Sequence, residues 1–425
     1  MHKRPRIGWV GIAGVFAFAL IFRETANAQS GPWKLTISSR ETGFAETPVV
    51  LPVREKIPPG IYQVVKSGAG IELGEKVQVF QENGDTSLAL DLFSMAPNTT
   101  VTLELKPLTK NESAGLGGVL LVPQGTNVAV KLDGELFTEY RTDDGPKPFL
   151  YPLIGPTGSP YTRSFPMKQV EGETKDHPHH RSVWFTYGKL NGIDFWAEPK
   201  GKPFGRIKET GRKPLIQGPV LGRLRTADDW LGPDGVKVCE DERILTIYDT
   251  SSARIFDFDI KIKASNGPVE FGDTKEGMFG LRVASTMDVS KKLGGKIVNS
   301  EGLVDDKTWG KPASWVDYSG PVDGKTVGIS ILNHPSSFRY PTTWHVRTYG
   351  LFAANPFGWH DFGHLNSGAS TTPGRGDSGT FVLPKGQEIG FRYRVMLHTG
   401  DASAAKLPQA FQAYAEPPQI SLEKQ

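Results

Sequence analysis

Apolar and charged residues alternate without interruption along Arg254-Ile-Phe-Asp-Phe-Asp-Ile-Lys-Ile-Lys263. Phe256, Phe258, Ile260 and Ile262 fall on one face, and Asp257, Asp259, Lys261 and Lys263 on the other. This is the period-two signature of an antiparallel strand with one buried face. Shorter apolar runs at Ile61–Val65, Val77–Phe80, Val101–Leu105, Val128–Leu132, Ile244–Tyr248 and Thr326–Leu332 predict further strands. The 49 glycines and 32 prolines separate these runs at turn-like intervals, which suits sandwiches rather than helical bundles. Val183–Gly188 and Leu190–Trp196 read as the two strands of a hairpin around Asn191-Gly192. One short helix is predicted over Gln409–Ala415, with Pro408 where a helix can begin. The expected fold is all-β: a large antiparallel β-sandwich preceded by a smaller N-terminal β-sandwich.

Texture divides the chain. Residues 30–135 hold strands and turns but no histidine, whereas Pro, Tyr, Trp, His and Arg are dense from Tyr140 to Trp196. This places a boundary near 130–140, with a support or binding module at 30–135 and one large β domain at 140–415. Ahead of both, Lys3, Arg4 and Arg6 precede the apolar run Ile7–Phe22 and the small-residue exit Ala26-Asn-Ala28. That order reads as a secretory signal over residues 1–28, so export to the periplasm or the extracellular space is expected. No later segment is apolar for long enough to cross a membrane, so no stable span is expected once the signal is cleaved. The signal holds four basic residues and one acidic one, which leaves 45 of each in the rest of the chain. A neutral chain without a basic run gives no electrostatic case for nucleic acid. The single cysteine, Cys239, forms no internal disulfide and reads as a small buried hydrophobe.

Chemistry concentrates in three places. Three of the nine histidines, His177, His179 and His180, lie within Asp176-His-Pro-His-His-Arg181. On an extended segment His177 and His179 share a face and His180 points away, while Pro178 marks an edge or loop. Two imidazoles on one side suit proton transfer to a substrate hydroxyl or, alternatively, metal ligation. Trp184, Tyr187, Phe195 and Trp196 follow as a candidate apolar or sugar-stacking wall. The second place is Asp273-Thr-Lys-Glu276, where Lys275 and Glu276 supply an ammonium and a carboxylate for acid–base work. The third runs from His334 through Arg339, Trp344, His345 and Arg347 to Asn355. Arginine and histidine interleaved with aromatics suit a neutral polyol or a carboxylated sugar. Within Trp359-His-Asp-Phe-Gly-His364, His360 and His364 are expected at the surface. Arg375-Gly-Asp377 is a chance-level tripeptide. No phosphate loop or zinc-protease motif is present, and the bare glycine spacing of Gly374-Arg-Gly-Asp-Ser-Gly379 lacks the apolar strand and following helix of a dinucleotide fingerprint, so nucleotide cofactors have no support.

Several of these segments resemble a family of exported bacterial proteins known as PmoA-like, also called methane oxygenase PmoA. They are Tyr151-Pro-Leu-Ile-Gly-Pro-Thr-Gly158, Asp176-His-Pro-His-His-Arg-Ser182, Asn191-Gly-Ile-Asp-Phe-Trp196 and Thr274-Lys-Glu-Gly277, with His334-Pro335 through His345 and Asn355-Pro-Phe-Gly358. The resemblance covers roughly 140–400. The family name implies a copper-dependent oxygenase, but the methane monooxygenase subunit of that name is a membrane protein and this chain lacks its spans. The β-rich, histidine-bearing pattern is also similar to the supersandwich of aldose epimerases, an analogy of fold alone.

The leading expectation is an exported carbohydrate-active enzyme of epimerase, lyase or hydrolase chemistry on a sugar or glycoside. His177, His179 and His345 would move protons with Glu276 as acid–base partner. His180, Arg181, Trp184, Lys275, Arg282, His334, Arg347 and Asn355 would contact substrate. This reading requires no cofactor. A second reading makes His177 and His179 ligands of copper, zinc or iron, and a third makes the protein a non-catalytic glycan binder.

Overall fold

The structure, a computed structural model, describes residues 32–41, 43–65, 71–363 and 379–424. The signal-like residues 1–28, His364 and Arg375-Gly-Asp377 lie outside them. The described chain is all-β, built from one seven-stranded and two eight-stranded antiparallel sheets, with a two-stranded ribbon of Val269–Phe271 and Phe381–Leu383.

The N-terminal sheet runs in the order Phe44–Val53, Asp85–Met95, Ile71–Glu82, Gly60–Val65, Thr100–Pro107, Trp33–Ser38, Gln419–Lys424. It curls until its two end strands approach each other. Alternate residues such as Leu35, Leu103, Leu105, Val77 and Leu88 fill the interior of the curl. Its last strand comes from the far end of the chain.

The large domain is a sandwich. Its first sheet has the order Trp344–Val346, Leu351–Ala354, Gly277–Arg282, Val183–Tyr187, Phe149–Leu153, Glu135–Arg141, Asn127–Leu132, Val119–Gln124. Its second has the order Arg206–Arg212, Leu221–Leu231, Lys237–Tyr248, Arg254–Lys263, Glu388–Thr399, Lys325–Asn333, Trp315–Val322, Lys296–Asn299. One continuous core lies between them, with Phe137 against Phe256 at 6.2 Å and Phe258 against Phe279 at 4.9 Å.

The strand read from strict alternation forms over Arg254–Lys263 as expected, and Phe256, Phe258, Ile260 and Ile262 enter this core. The opposite face is not uniformly wet. Asp257 is buried because the helix Leu407–Ala415 and the N-terminal sheet cover that part of the second sheet. Arg394 joins all three: it donates to both Asp257 oxygens at 2.7 and 2.9 Å and to Thr47 at 3.0 Å, and its guanidinium carbon lies 4.5 Å from the Tyr414 ring. Gln78 adds a second tie, accepting from Val220 N and Leu221 N and donating to Leu221 O. Among the described residues no helix is long and apolar enough to cross a membrane.

Two expectations shift. A boundary near 130–140 falls inside the first sheet, whose strands at Asn127–Leu132 and Glu135–Arg141 pair with each other and onward to Phe149–Leu153. The sheets change hands at the short helical turn Lys110–Ser113, because hydrogen-bond ladders rather than residue texture define the unit. The Asn191-Gly192 turn forms with positive φ at both residues, 48° and 76°. Only Val183–Tyr187 is a strand beside it, because Asp194 accepts from Trp196 N and Ala197 N and bends the chain away.

One interior feature has consequences for stability. Arg243 is buried and its charge is matched by Asp241, which accepts at 2.9 and 2.8 Å. Asp228 is also fully buried: its Oδ2 accepts from Thr226 and lies 3.4 Å from Arg243 Nε, while its Oδ1 has no partner among the described residues. Burial pushes its carboxyl up to about 7, with Arg243 opposing the rise and Asp241 adding to it. Unfolded, the group titrates near 4, so its ionisation penalises the fold increasingly as pH rises from about 4 to about 7. Asp228→Asn should therefore stabilise the protein at pH 8, by on the order of 2 kcal/mol, and much less at pH 4. Urea midpoints at the two pH values check this, and an equal shift at both would refute it.

Candidate functional site

Strand alternation decides what each face of the first sheet carries. Val183 and Phe185 enter the inter-sheet core while Trp184 faces outward. Likewise Phe149, Leu351 and Ala353 face out between core residues Leu150, Phe352 and Ala354. Trp344 and Val346 go inward, which leaves His345 between them on the outer side. Gly280 pairs with Trp184 across the sheet and makes room for it, since a Cβ there would lie 2.7 Å from the indole. Arg347 and Tyr349 continue the outward set into the turn closed by Gly350 N donating to Arg347 O at 3.0 Å.

The histidine segment is folded onto this face from above. Arg163, fully buried, donates to the carbonyls of Phe165, Thr174 and His177 and pairs with Asp176. Arg282, also fully buried, reaches Asp176 at 2.9 Å and His180 Nδ1 at 3.2 Å. Because a guanidinium only donates, Nδ1 of His180 accepts and its proton sits on Nε2.

The segment is not extended as expected. His177 has φ 43° and His180 N donates to its carbonyl at 3.0 Å, so Arg163's grip on the His177 carbonyl accompanies a tight turn. All three rings therefore cluster. Tyr349, His177, His180 and Trp184 form one stack with successive centroids 5.3, 4.8 and 5.2 Å apart. His179 stands edge-on to His177 at 5.7 Å and to His180 at 4.5 Å.

The rings differ in charge behaviour. Burial is the main cause in each case. It drives the His179 and His345 imidazoles down to about 3 and that of His180 well below its usual value, with neighbouring Lys147 assisting at His179 and Arg282 at His180. These rings stay neutral through the ordinary pH range. His177 is the exposed member, with 41% of its side chain accessible. Its Nδ1 lies 3.0 Å from Asp176 Oδ2. Burial pushes the Asp176 carboxyl up, but the Arg282 charge and hydrogen bonds from Arg282, His177 and Arg163 outweigh it and hold the group below the ordinary range. Asp176 thus stays ionised and, as an acceptor only, takes the Nδ1–H of His177, which turns Nε2 away from the carboxylate.

Other expected residues separate into three groups. Trp196, His345 and Trp309 extend the cluster, with His345 6.3 Å from Trp196 and 4.9 Å from Trp309. Lys275 and Glu276 pair at 3.2 Å on the adjacent loop, close enough that Lys275 acts on His345 and Glu276 on the Tyr349 phenol. Arg181 lies to one side, bonded to Asp144 and Glu198 beside the buried pair Lys147–Glu198.

A second group supports the site without lining it. Asn355 is buried and donates to the carbonyls of Thr274 and Lys275, fixing the Glu276 loop. Arg282 and Trp184 lie beneath the histidines, Trp184 only 2% exposed. They hold rings rather than touch a ligand, which corrects the expected contacts. The stacking wall fails for the same reason: Trp196 is fully buried, and Tyr187 and Phe195 belong to the inter-sheet core.

A third group is elsewhere. His334 bonds Ser336 and packs on Tyr414 by the C-terminal helix, because its strand ends at the opposite sheet. Arg339 is enclosed by Phe338, Phe357, Trp359 and Phe381. His360 is exposed as expected.

Sequence reasoning missed Arg163, Lys147, Glu198, Trp309 and Tyr349. Tyr349 had a signal, since His345, Arg347 and Tyr349 recur at alternate positions. Arg163 had none. Among the described residues no three His, Cys, Asp or Glu side chains are grouped to hold a metal ion.

Keeping His345 neutral has a measurable cost in acid. Its imidazole is near 6.5 unfolded and near 3 folded, so stability is lost as pH falls through that window. By about pH 5 this costs the fold roughly 2 kcal/mol. His345→Gln should show a shallower fall in urea midpoint between pH 7 and pH 5 than the wild type. Identical slopes would mean that burial does not suppress this ring.

No curated protein matches the sequence. Among solved structures the chain is similar to a glycosyl hydrolase family 38 protein from Enterococcus faecalis, with 14% identity and a TM-score of 0.39 over 92% of this chain and 47% of that one. It is also similar to an alpha-mannosidase from Enterococcus faecalis V583, with 11% identity and a TM-score of 0.42 over 92% of this chain and 46% of that one. The chain spans about half the length of these structures, and likeness at this level carries no statement about activity. Residues 127–412 match a family described as "Family of unknown function (DUF6807)", and the chain belongs to that family.

Proposed function

We propose that the outer face of the first sheet is a proton-transfer site for a sugar or glycoside in an exported enzyme. The observation that carries this reading is the Asp176–His177 pair: an oriented, partly exposed imidazole on a base of buried rings. His177 Nε2 takes a proton from a bound hydroxyl or from the carbon beside a carbonyl, and the imidazolium that forms is stabilised by Asp176. Glu276, the rim carboxyl paired with Lys275, is the second acid–base group. His179 and His345 are too weakly basic to share that work. His179, which is only partly buried, offers hydrogen bonds to hydroxyls as a neutral imidazole without adding charge, whereas His345 lies beneath the surface. Epimerisation, elimination and glycoside hydrolysis all include such a proton transfer.

The test is conversion of a panel of reducing sugars and aryl glycosides, followed by NMR. The wild type should convert at least one member. His177→Ala should lower that rate on the order of 10²–10⁴-fold. Asp176→Asn should also lower the rate, and because it strips the buried Arg163 and Arg282 of their carboxylate it should lower the urea midpoint as well. Undiminished turnover by His177→Ala would sink the proposal. Glycan binding by the wild type with no conversion anywhere in the panel would replace it with a binding role.

A further inference from the structure

Except for Arg347, the cations around the cluster each engage a carboxylate. Arg163 and Arg282 hold Asp176, Arg181 and Lys147 hold Glu198, and Lys275 holds Glu276. Arg347 differs. Among the described residues no carboxylate or hydrogen-bond acceptor engages its guanidinium, which is instead held between two partly exposed rings. Its central carbon lies 4.5 Å from the Trp309 ring and 5.6 Å from the Tyr349 ring.

Stacking uses the faces of a guanidinium and leaves its in-plane N–H donors for something else. A flat cation clamped in this way has lost its rotamer freedom beforehand, so it is organised for two parallel hydrogen bonds to a planar anion. Position supplies the link to chemistry. Tyr349, which Arg347 touches, is the ring stacked on His177, and Trp309 is the ring packed on His345. A ligand spanning Tyr349 would meet the Asp176–His177 pair at one end and Arg347 at the other. Charge selects among anions. Glu276 and Asp176 are both felt at Tyr349, and these nearby negative charges oppose a phosphate carrying nearly two charges more than a monoanionic carboxylate.

We propose that Arg347 is the specificity-determining contact of this site and that its ligand is an acidic sugar whose carboxylate it binds. The inference rests on the sugar-site reading above and narrows it from sugars to uronic-acid-type ligands.

Titration calorimetry of the whole protein with glucuronate, galacturonate, methyl glucuronate ester, glucose, galactose and glucose 6-phosphate tests it. The two uronates should bind at least about tenfold tighter than the ester and the neutral sugars. Arg347→Gln should lose roughly ten- to a hundredfold in uronate affinity while leaving neutral sugars unchanged, and Arg347→Lys should fall between. Equal binding of ester and acid, preference for the phosphate, or indifference of uronate affinity to Arg347→Gln would each overturn the carboxylate assignment and leave the sugar site standing. Failure of every sugar to bind would overturn both.

Discussion

The Asp176 carboxylate is the group on which the cluster turns. Two fully buried guanidiniums meet it, Arg163 from the loop below it in sequence and Arg282 from the sheet. Among the described residues neither cation pairs directly with another carboxylate, Glu173 acting on Arg163 and Asp288 on Arg282 only from further off. Loss of Asp176 would therefore leave two poorly compensated buried charges, at a cost of several kcal/mol. The same carboxylate orients His177. A single anion thus holds the 163–180 loop to the sheet and sets the tautomer of its most exposed imidazole.

Beneath that anchor, burial has split one kind of residue into two kinds of behaviour. His179, His180 and His345 are withdrawn from water against Trp184, Trp196 and Trp309, and withdrawal favours the uncharged ring. His177 lies on the same stack but keeps contact with both solvent and a carboxylate. The tryptophans therefore act on the site through dielectric environment and shape rather than through contact with a ligand. The indole N–H groups of Trp184 and Trp196 have no partner among the described residues, a cost that such a tightly packed floor accepts.

The fold was legible where one rule dominated. Strict alternation located Arg254–Lys263 to the residue, and Pro408 helped to locate the helix that forms over Leu407–Ala415. It was illegible where distant groups decided. His177 turns where Arg163, fourteen positions earlier, holds its carbonyl, which no local reading of Pro178 supplies. The N-terminal sheet is completed by Gln419–Lys424, paired with Trp33–Ser38 from the other end of the chain. Residue type also misled at Arg282 and Asn355. Both looked like ligand contacts, yet burial turned their donors toward a carboxylate, an imidazole and backbone carbonyls. His345, Arg347 and Tyr349 were the readable part of the site, because period two alone places them on one face.

The two outer faces of the sandwich have gone different ways for a physical reason. Outward positions on the second sheet include Leu221, Ile255, Leu332 and Met396, apolar residues that need a cover, and the N-terminal sheet and the C-terminal helix provide it. Arg394 locks that cover with a buried ion pair. The outer face of the first sheet has a smaller apolar patch, which its own loops and aromatic side chains close. What remains there is a rim of polar groups on a rigid, dry floor. Chemistry requires polar side chains held still and partly shielded from water. Among the described residues the first face combines those conditions, because the core of the sandwich fixes its strands and neither the N-terminal sheet nor the C-terminal helix lies across it.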